Sequence, residues 1–251
     1  IMVVATAGTG SESTSIGVIT DTINNVKNSV ICNSTLGILD PEITISVPKD
    51  ITANTGIDTM SHAVEAITAK DPNPKSELLA TDAIKKVMKY LPIAMSDGKN
   101  IEARENLLLA SNFAGLAFND ALVHIGHAIA HSVGAKFHVT HGVVCGLVMP
   151  EVMKYAADFK ADKVKVVGEA MGISFSGNET DIEIGEVVAA QMRKFVKKVG
   201  IKSLKELGIV REELIGIAEM VLADACYNFV PKQLTKEEVQ VIIGNMYDNY
   251  K

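Results

Sequence analysis

The sequence predicts a predominantly α-helical chain with a short β-rich start, and three observations carry that reading. Small β-branched runs fill the first forty residues, with Gly and Thr between them. From about Asp50 onward, apolar residues recur at helical spacing. Capping residues then stand where those periodic stretches begin and end.

Ile1–Thr6, Ser15–Asp21 and Thr35–Pro41 are the strand-like runs. Three strands without covering helices make a poor sheet, since parallel strands need helices on both faces. The chain is therefore expected to be the C-terminal part of a longer protein. Residues 53–69 form the first helix, which Asp71-Pro72-Asn73-Pro74 breaks before the helix of residues 76–91. Asn100 caps a helix over residues 101–118. Residues 119–135 also carry a helical pattern. The stretch from Ile182 to Val199 is amphipathic and ends at Gly200. Thr235 and Glu238 form a capping box for the last helix.

The 251 residues are 47% hydrophobic, enough for a sizeable core. No apolar run approaches the roughly 18 residues of a membrane helix, so no membrane partner is expected. A net charge of -6 with scattered basic residues argues against nucleic acid. Cys32, Cys145 and Cys226 lack paired spacing and read as reduced thiols. The expected location is the cytoplasm.

Five of the six histidines, His124, His127, His131, His138 and His141, fall in one stretch. The sixth, His62, stands four residues after Asp58, on the same helix face. Imidazole and carboxylate are the ligands of a borderline divalent ion. An Asp-x-x-x-His pair alone is a common helical contact, but with five further histidines it points to a metal site. One ion cannot use them all, and an uncoordinated histidine beside a metal suits proton transfer. Cys145 is a candidate soft ligand, though oxygen and nitrogen already suffice. Residues 5–14, ATAGTGSEST, let backbone N–H groups approach an anion or a flat ring, although a plain turn explains them equally well.

Together these segments resemble the iron-containing (group III, metal-dependent) alcohol dehydrogenases. TAGTGSE is similar to the family's TTAGTGSE turn, and TGIDTMSHAVEA to TGMDALTHAIEA. HIGHAIAHSVGAKFHVTHGVV looks like VHxxAHxxGxxxxxPHG. ILDPEITISVP and DACYNFVPKQLTKEEV resemble a DPELT-type segment and a DACxxxNPR segment. Ala5 departs from the pattern by replacing the first Thr of a Thr-Thr pair, and the stretch from Lys27 to Asp40 is short.

The resemblance implies a dehydroquinate-synthase-like C-terminal helical domain over residues 49–251. Residues 1–48 would be a remnant of an α/β dinucleotide-binding domain. It implies Asp58, His62, His127 and His141 as ligands of Fe(II) or Zn(II). It places His131 beside nicotinamide and substrate as a proton relay. Thr6, Ser15, Gly17, Lys27 and Thr44 are the implied contacts to NAD or NADP. His124 is expected either to line the substrate pocket, the favoured reading, or to cap local polarity, and His138 to be supporting or structural. The implied reaction is reversible hydride transfer between a small primary alcohol or diol and its aldehyde, and a homodimer is compatible with it. Two alternatives stand beside this. One is a metal-dependent lyase of the dehydroquinate synthase type. The other is a metal-binding fragment inactive without its N-terminal domain.

Overall fold

In the computed structural model, which describes residues 1–21 and 26–250, the described strands all precede Lys49. β1 (Met2–Val3) pairs in parallel with β4 (Gly37–Ile38). β2 (Ile16–Asp21) and β3 (Val26–Ile31) form an antiparallel pair with Gly17 opposite Val30. β3 is a strand that the sequence reading missed. Lys27 and Asn28 interrupt its apolar pattern, and pairing with β2 overrides their weak preference.

Nine helices follow among the described residues. They are α1 (Lys49–Thr68), α2 (Pro74–Ser96), α3 (Ile101–Ala121), α4 (Ile125–Phe137) and α5 (His141–Ala170), then α6 (Asp181–Lys198), α7 (Arg211–Ile215), α8 (Ala218–Ala223) and α9 (Lys236–Asp248). Asn73 caps α2, with Pro74 at the first helical position, and Asn100 caps α3 through the Ala103 N–H at 2.9 Å. Thr180 with Glu183 and Thr235 with Glu238 make reciprocal capping boxes at α6 and α9. Gly200 takes φ +84° just past α6, a conformation that glycine adopts at no steric cost.

α1 is the axis of the bundle. Almost every residue from Gly56 to Thr68 is buried, because α2, α3 and α5 close around it. A helix covered on all sides has no polar face, which explains its weak amphipathicity. α5 in turn carries α4, α6 and α9. It departs from helical geometry at Lys160, whose Nζ reaches the Ala69 and Lys70 carbonyls and so closes the C-terminus of α1. No single helix among the described residues is long and apolar enough to cross a membrane.

The expected helix over residues 119–135 is in fact two elements. The chain turns by 108° between α3 and α4, and Leu122 sits at φ 67° within the turn. Strain of this kind in a residue with a side chain costs about 1–3 kcal/mol and is tolerated where packing fixes it. The turn brings the first residues of α4 against the C-terminal half of α1.

Candidate metal centre

Asp58, His62 and Glu65 follow one another along α1 at spacings of four and three, so they share one stripe. All three are buried. His127 lies on the first turn of α4, His131 one turn later, and His141 opens α5. Donor atoms of Asp58, His127, His141 and Cys145 lie within 4.8 Å of one another. Asp58 Oδ1 is 3.4 Å from His141 Nε2 and 3.9 Å from His62 Nδ1. The His62 ring stacks between Phe118 and His127, at centroid distances of 4.4 and 4.6 Å. Of the four expected ligands, His62 thus stands at the margin of the cluster, and Cys145 stands within it. The Cys145 sulfur is 3.4 Å from His141 Nε2.

Asp58 Oδ1, His62 Nδ1, His127 Nε2 and His141 Nδ1 are buried without a hydrogen-bond partner. Each such atom costs about 1–3 kcal/mol unless something satisfies it. Asp58, His127 and His141 offer an oxygen and imidazole nitrogens within 4.8 Å of one another, with His62 Nδ1 3.9 Å from Asp58 Oδ1, and such a donor set fits a divalent cation. Burial, then the neighbouring His127, holds His62 well below its ordinary pKa. Burial does the same to His141. Both therefore offer lone pairs at neutral pH. Cys145 is driven the other way, well above the usual thiol value, by burial and then by Asp58.

Glu65 is the principal residue that the sequence reading overlooked. Its Oε2 accepts the N–H groups of His124 and His127 at 3.1 and 3.3 Å, and its Oε1 accepts that of Gly126 at 2.6 Å. A carboxylate from α1 thereby caps α4, which has no side-chain cap of its own. Glu65 Oε2 also lies 2.5 Å from His127 Nδ1, fixing that ring with Nε2 turned away from Glu65. Gly126 makes this possible, since a Cβ there would stand 2.7 Å from Glu65 Oε1. Burial opposes the Glu65 charge, but His124 and His127 outweigh it and keep the carboxyl ionised well below its usual range. Burial likewise opposes a charge on His127, yet the Glu65 bond wins and raises its pKa. The i, i+4, i+7 stripe of Asp58, His62 and Glu65 was the available signal.

His131 Nδ1 pairs with Asp224 Oδ2 at 3.1 Å, and its ring stacks on His141 at 5.4 Å. The pocket reading for His124 is corrected. The residue has no exposed surface, its Nε2 is 3.1 Å from Thr68 Oγ1, and its Nδ1 is 3.3 Å from Glu65 Oε1 but off the line of a hydrogen bond. His138 is exposed and ends α4 in the left-handed conformation.

The Gly-rich turn crosses the same side of the bundle. Thr59 Oγ1, one residue from Asp58, donates to the Gly8 carbonyl at 3.1 Å. Gly10 crosses Gly115 of α3 so closely that a Cβ on Gly10 would lie 2.7 Å from the Gly115 Cα. The Ser15 N–H and hydroxyl both donate to Asn119 Oδ1, at 2.7 and 2.9 Å, next to the Phe118 that stacks on His62. Thr6 is exposed beside this turn, and Gly17 lies in β2. Thr44 is buried, and its hydroxyl donates to the Pro41 carbonyl at 2.8 Å. The Lys27 backbone pairs with Thr20, and its side chain lies outside the described residues.

A buried Asp–His cluster in a helical bundle, crossed by a glycine-rich turn, is an arrangement that fits a metal-binding protein. Residues 52–247 match the Fe-containing alcohol dehydrogenase family, C-terminal. The NAD-dependent methanol dehydrogenase of Bacillus methanolicus is 34% identical over 249 residues, covering 98% of this chain and 65% of the relative. The 1,3-propanediol dehydrogenase of Klebsiella pneumoniae is 34% identical over 251 residues, again 98% and 65%. The crystal structure of a 1,3-propanediol oxidoreductase superposes with a TM-score of 0.92 at 32% identity, covering 98% of this chain and 65% of that one. The chain belongs to the Fe-containing alcohol dehydrogenase family. It spans 65% of the length of these relatives.

Proposed function

We propose that this chain forms the metal-binding catalytic part of an NAD(P)-dependent alcohol dehydrogenase acting on a small primary alcohol or diol and its aldehyde. Residues 49–251 are the catalytic helical domain in this reading, and residues 1–48 the remnant of a dinucleotide-binding domain. The carrying observation is the set of orphaned donor atoms on Asp58, His62, His127 and His141. These four residues would hold the ion, Fe(II) or Zn(II). Cys145 stays outside the set because oxygen and nitrogen donors already suffice for a borderline divalent ion.

A bound divalent ion supplies Lewis-acid polarisation of an alcohol or carbonyl oxygen. The chain's own residues do the rest. Glu65 orients His127. His131, beside the cluster but outside it, takes or returns the hydroxyl proton. Thr6, Ser15 and Gly17 flank the nicotinamide along the Gly-rich turn. Among the described residues, Asp58, Glu65 and Asp224 form ion pairs only with histidines, so no lysine or arginine pairs with the carboxylates of this cluster. That favours a small, weakly charged alcohol over a phosphorylated or polyhydroxy acid. The names of the methanol and propanediol relatives point the same way.

The test is metal analysis of the purified gene product, followed by a screen of short alcohols and diols with NAD and NADP. Reduced nicotinamide should appear only in metal-loaded protein. A protein with a full complement of metal that oxidises none of them would overturn the reading. Titrating NADH against the 251-residue chain separates an active unit from an inert metal-binding fragment, since only the former binds it saturably.

A further inference from the structure

We infer that Asp224 is the positioning residue that fixes the tautomer and ring plane of His131. The inference rests on the dehydrogenase reading above, since it gives that tautomer its purpose. His131 sits on α4, and Asp224 lies 93 residues later, where α8 gives way to the 3-10 turn Ala225–Phe229. Asp224 is itself held fast. Its Oδ1 accepts the Cys226 N–H at 2.8 Å, which caps the turn. Its Oδ2 is left for His131 Nδ1, at 3.1 Å. Both side chains are largely covered, at 24% and 17% exposure, so water competes weakly for the bond. The His131 ring meanwhile lies nearly parallel to that of His141, tilted by 22°. One contact fixes the ring's edge and the other its face.

The chemistry follows from the donor inventory of a neutral imidazole, which carries one N–H and one bare nitrogen. A carboxylate accepts and cannot donate, so the proton resides on Nδ1 and Nε2 keeps its lone pair. A bare Nε2 is what a residue accepting a hydroxyl proton must present, and the opposite tautomer would present a hydrogen there instead. Cys226 does not form a nucleophilic triad with this pair. Its sulfur faces the same Nδ1 that Asp224 uses, at 4.0 Å, and burial raises its thiol far above the usual value.

The experiment uses the gene product loaded with Zn(II), with its histidines labelled with 15N. The His131 resonances are assigned by their loss in His131→Gln. Wild-type protein should show a protonated Nδ1 and a bare Nε2. Asp224→Asn keeps an oxygen for the Cys226 N–H but turns an NH2 toward His131. It should reverse the tautomer, lower kcat by about 10²- to 10⁴-fold, and leave metal content and the alcohol KM near wild type. A wild-type His131 protonated on Nε2 overturns the inference, as does an Asp224→Asn variant with an unchanged tautomer. Metal loss in that variant in proportion to lost activity overturns it too. Should Asp224→Asn fail to fold, the wild-type spectrum alone decides. If the wild-type protein oxidises no alcohol while the tautomer is as stated, the dehydrogenase reading fails and the orienting contact stands.

Discussion

Replacing Glu65 with Gln perturbs the centre without touching a proposed ligand, and the structure sets the size of the effect. The two carboxylate oxygens accept four N–H groups: His124 N, His127 N and His127 Nδ1 at Oε2, and Gly126 N at Oε1. A Gln amide has one oxygen. Placed at Oε2 it retains three of these bonds, and its NH2 then faces the Gly126 N–H, donor against donor. The reverse orientation strands three donors, so the first is adopted. The loss is one charge-assisted bond, worth about 1.5–3 kcal/mol, plus part of the cost of a buried unpaired N–H. Removing a buried charge returns some of this, leaving a destabilisation of about 2–3 kcal/mol. The His127 ring also loses the anion that orients it, which weakens metal binding by about 10- to 100-fold. Equilibrium urea unfolding measures the first effect. Competition with a chelator at mildly alkaline pH, where protons compete least for imidazole, measures the second. A folded Glu65→Gln protein with wild-type metal affinity would refute the orienting role of Glu65.

Four further outcomes are expected. Asp58→Ala loses its metal with little unfolding, since it removes one half-satisfied carboxylate, and a fully metallated variant would contradict the ligand set. His131→Ala retains metal and loses about 10²- to 10⁴-fold in turnover; metal loss would instead make it a ligand. Protein loaded with Co(II) shows no thiolate-to-cobalt absorption, because the oxygen and nitrogen donors of Asp58, His62, His127 and His141 already suffice, and its appearance would put Cys145 in the place given to His62. The last concerns pH. Burial lowers the pKa of His124 in the folded chain, while the unfolded chain takes up a proton near 6.5. As pH falls below that value the unfolded state binds more protons, so the metal-free protein loses stability by up to about 1.4 kcal/mol per pH unit from this group. His124→Gln removes that contribution, and a urea-midpoint slope against pH no shallower than wild type would count against it.

Much of the helical body was legible because its boundaries are local. Asn100 and Thr235 cap where the pattern said a cap should stand, and Gly200 ends α6. The break at Leu122 was not legible. Residues 119–135 keep their apolar spacing straight through it, and only tertiary packing holds a leucine at positive φ. The fate of His124 was hidden for a related reason. Whether a histidine lines a pocket or closes a buried network depends on what faces it, and here Glu65 arrives from 59 residues away and Thr68 from 56. The local bond from Thr44 to the Pro41 carbonyl is likewise not revealed by spacing.

The two carboxylates to which the sequence assigns no role share a logic. Glu65 and Asp224 each use one part of the carboxylate on backbone N–H groups that begin a helical segment, and another on the Nδ1 of a histidine. The backbone contact makes the acid rigid, and the rigid acid then sets a ring. For His127 this leaves Nε2 orphaned among the cluster's donor atoms. For His131 it leaves Nε2 bare beside the cluster, in a residue that stacks on His141 and stays partly open to solvent. On the proposed roles the same device serves two different jobs, and what separates them is the position of the ring. His127 is pressed against His62 at 4.6 Å and is almost fully buried, which suits an ion shielded from water. His131 lies one helical turn further along α4, 6.3 Å from His127, with 24% of its side chain exposed. Exchanging the two roles would require moving a ring by a full turn of α4, so the division of labour among the histidines is fixed by the helix itself.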